Sequence, residues 1–315
     1  MILVTGSSGH LGEALMRVLR GRGARVLGVD LKPAPFTDRV GSILERAFVR
    51  ECMQGIEAVI HTATLHKPHV ETHTRQAFVD ANITGTLNLL EEALAARVRA
   101  FLFTSSTSAF GAALTPAPDE PAAWITEEVV PIPKNIYGVT KVAAENLCEL
   151  FARRQGLPTI VLRTSRFFPE EDDDAQVRER FSTANMQANE MLYRRVDIED
   201  AVGAHVAALE RAGAIGFGRY IISATTPFTR ADTAELKKNA PAVVQRCCPD
   251  AQALYAERGW RLLPHIDRVY VNERARSALP WRPKYDFRHV LDSLRAGRDA
   301  RSALAREVGS KGYHA

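Results

Sequence analysis

The chain has 315 residues, 46% hydrophobic and 25% charged, enough for one large or two modest domains around a substantial core. Its 41 basic and 37 acidic residues leave a formal charge of +4, and no block of lysine or arginine marks a nucleic-acid surface. No apolar run reaches the ~20 residues of a membrane helix, and a strand begins at residue 2 with no room for a signal peptide, so the expectation is a soluble cytoplasmic protein.

In chain order, the first strand is Ile2–Thr5, running into "TGSSGHLG" and a helix that opens within that motif. Gly6, Gly9 and Gly12 stand in the spacing GxxGxxG between strand and helix. Glycines there allow a tight turn and close approach of a pyrophosphate, and the helix N-terminus offers unpaired N–H groups to an anion. The second strand, 25–30, ends in Asp30, where a carboxylate accepts hydrogen bonds from adenosine ribose hydroxyls and repels a 2′-phosphate. The nucleotide expected is therefore NAD, with Lys32 close enough to soften that preference.

A third strand, Ala58–His61, enters "HTATLHKPHVETH", whose four histidines read as loop or substrate-edge residues, with no metal expected. The helix "TLNLLEEALAARV" follows, then a strand over 100–104 ending in the hydroxyl cluster "TSSTSAFG". "NIYGVTK" opens a long helix and places Tyr137 and Lys141 four apart on one face. An ammonium beside a phenol lowers the tyrosine pKa, which makes Tyr137 a candidate general acid/base. A further strand covers 159–163, and beyond residue 165 the pattern loosens into "DIEDAVGAHVAALERA", the strand "GRYIISA" and a tail with "LPWRPKYDF". The four cysteines show no CxxC spacing, and the adjacent Cys247-Cys248 pair is expected to be structural. Alternating strands and helices predict an α/β fold with a doubly wound parallel sheet of Rossmann type, binding its ligands at the carboxyl ends of the strands. Residues 1–165, rejoined by 197–222, read as the dinucleotide domain, and 166–196 with 223–315 as a smaller substrate-binding lobe.

These motifs, from "TGSSGHLG" through "AVIHTATLH", "FLFTSSTSAFG" and "YGVTKVAAE" to "RRVDIEDAVGAHVAAL", together resemble an extended short-chain dehydrogenase/reductase of the NAD-dependent epimerase/dehydratase family. The resemblance implies a catalytic trio of Ser106, Tyr137 and Lys141, the lysine also binding the nicotinamide ribose. Around the cofactor it implies Ser8, His10 and Leu11 in the glycine loop and Leu31 beside Asp30. Thr62, Ala63, Thr64 and Asn82 would lie along the middle of the cofactor, and Thr104 and Thr164 at the strand ends. It also implies a homodimer formed through a four-helix bundle.

The departures from the family pattern narrow the expectation. Where sugar dehydratases carry an Asp-Glu pair this chain has Thr107 and Ser108, which suit substrate contact but not elimination of water. Ser42, before Ile43, replaces the usual aspartate at the adenine, and His66 stands where relatives often carry a lysine near the cofactor. The segment "RTSRFFPEEDDD" replaces the usual asparagine with Arg166, and only about 30 residues separate it from "RRVDIED". Arg166 either anchors a substrate carboxylate or phosphate or pairs with the acids that follow it. The run Glu170–Asp174 reads as a solvated loop that would repel a diphosphate if it faced inward. The leading expectation is an oxidoreductase transferring hydride from a secondary alcohol of a carbohydrate-like or hydroxy-acid small molecule. The alternatives are a nucleotide-sugar epimerase with retained NAD, whose nucleotide contacts would come from Arg274 and Arg276, and a non-catalytic NAD-binding redox sensor.

Overall fold

A computed structural model describes residues 1–172 and 174–312. Among these residues are nine strands: β1 Ile2–Thr5, β2 Val26–Asp30, β3 Arg39–Val40, β4 Ala58–His61, β5 Ala100–Ser106, β6 Ala123–Ile125, β7 Thr159–Thr164, β8 Phe217–Ile222 and β9 Arg268–Tyr270. Seven of them form one sheet in the order β3-β2-β1-β4-β5-β7-β8, with every neighbouring pair parallel. The doubly wound parallel sheet expected from the sequence is therefore the architecture of the protein. The short strands β3, β6 and β9 were not legible in the sequence, because two or three residues carry no periodicity.

The strand sequences explain why both faces are covered. Successive side chains point to opposite faces, and both members of pairs such as Leu3/Val4, Val59/Ile60 and Phe101/Leu102 are apolar and buried. Val4, Ile60 and Leu102 pack with helices α1 (His10–Gly21) and α4 (Ile198–Ile215). Leu3, Val59 and Phe101 face the other way, against α2 (Gly85–Ala95) and α3 (Ile136–Gln155). Each such side chain contributes roughly 1.5–3 kcal/mol on burial. A third apolar cluster, including Leu236, Val244, Tyr255, Val269 and Phe287, sits in the C-terminal half of the chain. The two-stranded sheet β6-β9 pairs a segment from the middle of the chain with one near its end. Among the described residues no helix is long and apolar enough to cross a membrane.

The register brings the chemistry-bearing residues to one edge. Thr5 pairs with His61 and Ser106 with Thr164, so these strands finish together at their carboxyl ends. A cleft of about 770 Å³ opens there.

Candidate active site at the carboxyl edge of the sheet

The glycine loop forms the floor of the cleft. Gly6 takes a φ of +75°, and a Cβ there would meet Ala63 N at 2.7 Å. A Cβ at Gly12 would lie 1.8 Å from Gly6 O, which excludes any side chain without a backbone shift. The loop thus runs directly into α1, whose N-cap is Gly9. Asp30 accepts backbone N–H groups from Ser8 at 3.0 Å and Lys32 at 3.1 Å, which fixes its carboxylate beside the loop. Bare glycine backbone, a helix N-terminus and a carboxylate at the end of β2 are the parts a dinucleotide needs, and the residues fit NAD.

Most residues expected around the cofactor line this one cleft: Gly6, Ser8, Gly9, His10, Leu11 and Gly12, then Asp30, Leu31, Ser42 and Ile43. Thr62, Ala63, Thr64, His66, Thr104 and Thr164 line it too. Asn82 does not. Its buried carboxamide accepts from Leu65 N at 2.8 Å and Thr64 Oγ1 at 2.9 Å, and donates to Leu65 O and to Thr140 Oγ1 at 3.0 Å. Asn82 therefore staples the loop after β4 to α3 from behind the wall, within a π-turn over Asp80–Thr84 that widens the helix leading into α2. The histidine cluster also divides. His61 is buried between Thr5 Oγ1 at 2.8 Å and Thr86 Oγ1 at 3.0 Å, and burial, with the nearby Lys141 charge, pushes its pKa down to about 3. It is a neutral core residue, whereas His66, His69 and His73 line the cleft.

The expected trio meets at the centre. Asn135 caps α3 by accepting from Gly138 N at 3.0 Å, which starts the helix one residue before Tyr137. Tyr137 and Ser106 line the cleft together, and Ser106 Oγ accepts from Ser108 N at 3.1 Å. Lys141 is buried one turn along, donating to Thr104 O at 2.8 Å with its ammonium 4.6 Å from the centre of the Phe103 ring. The expected lowering of the phenol pKa is absent from this arrangement. Burial pushes Tyr137 up to about 12, the nearby Ser106 hydroxyl offsetting only part of that. Burial pushes Lys141 down to about 7, with the Glu145 carboxylate acting the other way. The ammonium is committed to a carbonyl, so the phenol rests in its protonated form. The Thr104 hydroxyl is occupied by His205 Nε2 at 2.8 Å, leaving its carbonyl as the part that serves Lys141.

The acidic run corrects its sequence reading as a solvated loop. Glu170 Oε1 lies 3.0 Å from His10 Nε2 and accepts from Ser310 Oγ at 2.8 Å and Lys311 N at 2.9 Å. Burial raises its carboxyl, but the His10 bond and the Lys311 N–H outweigh it and bring the pKa to about 2. Asp172 takes Arg194 at 2.9 Å and lies 3.8 Å from Arg166. Glu171 and Asp174 are exposed, and Asp173 lies outside the described residues. The segment is a strap tying the glycine loop to the chain's last described residues. Arg166 lines the cleft, but its guanidinium is spent on the carbonyls of Glu170 at 3.2 Å and Glu171 at 2.5 Å, so it pairs with the acidic segment and is not available as an anchor. Thr107 and Ser108 line the cleft beside Ser106. Arg274 pairs with Glu128, and Arg276 donates to Asn272 Oδ1 at 2.9 Å; neither lines the cleft.

Lys134, Arg268 and Tyr270 line the cleft without having had a sequence signal. Arg268 and Tyr270 come from β9, whose three residues carry no periodicity of their own.

Residues 2–222 match the NAD dependent epimerase/dehydratase family. The chain belongs to that family. A UDP-glucose 4-epimerase of Erwinia amylovora is 30% identical over 51% of this chain and 52% of that protein. An uncharacterized protein of Sinorhizobium fredii is 33% identical over 51% of this chain and 39% of its own length. The chain thus spans about half, or less, of the length of these curated relatives. A short-chain dehydrogenase/reductase superfamily protein of Agrobacterium tumefaciens, solved with bound NAD, shares the fold with a TM-score of 0.67 at 23% identity, covering 98% of this chain and 99% of that one.

Proposed function

We propose that this member of the NAD dependent epimerase/dehydratase family is an oxidoreductase acting on a secondary alcohol of a carbohydrate-like or hydroxy-acid substrate. The observation that carries the reading is that Ser106, Tyr137 and Lys141 line the same cleft as the glycine loop and Asp30, with Lys141 held on the Thr104 carbonyl. Bound NAD supplies the hydride acceptor. Ser106 holds the substrate hydroxyl next to the phenol, and Tyr137 exchanges the hydroxyl proton. Lys141, held on the Thr104 carbonyl, sets the charge beside that proton and is the residue proposed to reach the nicotinamide ribose. Thr107 and Ser108 offer hydroxyls to the substrate and no acid or base for eliminating water.

Residues 1–165 with 197–222 form the proposed NAD-binding part, and the remaining segments the substrate lobe. The location proposed is cytoplasmic. A homodimer through α2 and α3 is supported by Val139 and Leu150, large apolar side chains left about half exposed on α3.

The test is a panel of free sugars, sugar acids and nucleotide sugars with NAD, followed at the NADH absorbance. Stoichiometric NADH with a free sugar or hydroxy acid is the expected result, and no turnover across the free compounds overturns it. A nucleotide-sugar epimerase is the second reading, favoured by the name of the Erwinia relative. It would show interconversion of nucleotide sugars without net NADH.

A further inference from the structure

The substrate side of the cleft holds several cations, and they differ in one respect. Arg166 is held by two carbonyls and lies near Asp172. Arg194 is neutralised by Asp172 at 2.9 Å and Glu190 at 2.7 Å. Lys134 donates to the Thr115 hydroxyl at 3.0 Å. Arg268, the first residue of β9, is half-buried, and its Nε is enclosed with no hydrogen-bond partner among the described residues. No carboxylate among those residues pairs with it either. The carboxylates that line the cleft are committed elsewhere, Asp30 to the backbone of Ser8 and Lys32, and Glu170 to His10, Ser310 and Lys311.

A guanidinium partly withdrawn from water without a counter-charge is costly, because burial removes hydration that nothing replaces. Its planar fork suits a carboxylate or phosphate taken bidentately. We infer that Arg268 is an anion subsite and that the substrate carries an oxyanion, a carboxylate or a phosphate, which docks on β9 while its reacting hydroxyl lies at Tyr137. This rests on the hydride-transfer reading above and adds a charge to the substrate class. The lobe carrying Arg268 thereby selects a charged sugar or hydroxy acid over its neutral parent.

The experiment compares an aldohexose, the matching uronate and the matching 6-phosphate as substrates with NAD, using wild type, R268Q and R268K. Arg274, paired with Glu128 outside the cleft, supplies the control variant R274Q. One anionic substrate is expected to exceed the neutral parent in kcat/KM by on the order of 10- to 100-fold, and which one does so identifies the anion. R268Q is expected to erase that preference through KM, R268K to restore part of it, and R274Q to keep it. NAD affinity, measured by calorimetry, reports that R268Q is folded. An unchanged anion preference in folded R268Q overturns the inference. If no compound turns over, the hydride-transfer reading fails, and the subsite is judged by thermal shift with glucuronate or inorganic phosphate. Stabilisation of wild type that is lost in R268Q then supports it, and equal or absent shifts in both overturn it.

Discussion

Tyr137 and Lys141 sit one helical turn apart, yet in the free protein neither takes the ionisation its proposed role demands. Burial leaves the phenol protonated, with its pKa up at about 12, and lowers the lysine to about 7. A base that must first lose a proton makes alcohol oxidation climb with pH through the neutral and alkaline range. The expected kcat/KM profile for oxidation therefore rises over that range, and a flat profile would assign the proton to another group. Replacing Tyr137 with Phe is expected to cost roughly 10²–10⁴-fold in turnover and to remove that slope. NAD affinity should stay within ~3-fold, since the glycine loop and Asp30 are untouched. Activity at wild-type level in Y137F would remove the phenol from the reaction.

The strap formed by Glu170 to Asp172 shows how an element takes its role from its partners. Five acidic residues in a row read as a solvated stretch, but Glu170 is turned inward onto the glycine loop and the C-terminal segment. Its carboxyl has a lower pKa folded than the usual 4.5, so its stabilisation is fully present above 4.5 and is lost as pH falls towards about 2. Replacing Glu170 with Gln should lower stability at pH 7 by ~1–3 kcal/mol and shrink the fall in thermal midpoint between pH 4.5 and 2. Calorimetry across that window checks both. An acid response in E170Q as steep as in wild type would mean the carboxylate is not what holds the strap.

Across the whole molecule, one buried charge network joins the helix carrying Tyr137 to three strands. Glu145, a turn beyond Lys141 on α3, accepts from Ser105 Oγ at 2.6 Å and from Arg163 Nη2 at 2.7 Å, and lies 3.4 Å from Arg219 Nε. These partners come from β5, β7 and β8, so the carboxylate fixes the helix carrying Tyr137 against the sheet edge where Ser106 ends. Removing it leaves the Arg163 guanidinium buried without its counter-charge, a loss of ~3–5 kcal/mol. Urea unfolding of E145A at pH 7 measures this, and a loss under ~1 kcal/mol would show that the network is not holding the helix.

Local pattern was enough for the parallel sheet, the glycine turn into α1, Asp30 at the end of β2 and the pairing of Tyr137 with Lys141. Each depends on residues a few positions apart, whose spacing is set by backbone geometry. It could not reveal that Asn82 turns away from the cleft, that Arg166 is consumed by the carbonyls of the strap, or that Glu170 faces the glycine loop. Nor could it find Arg268, which reaches the cleft through a three-residue strand paired with residues 123–125. Those outcomes depend on which groups meet once the chain is packed, from Asn82 on Thr140 to Glu170 on His10 and Lys311, and only packing decides which polar group keeps a partner.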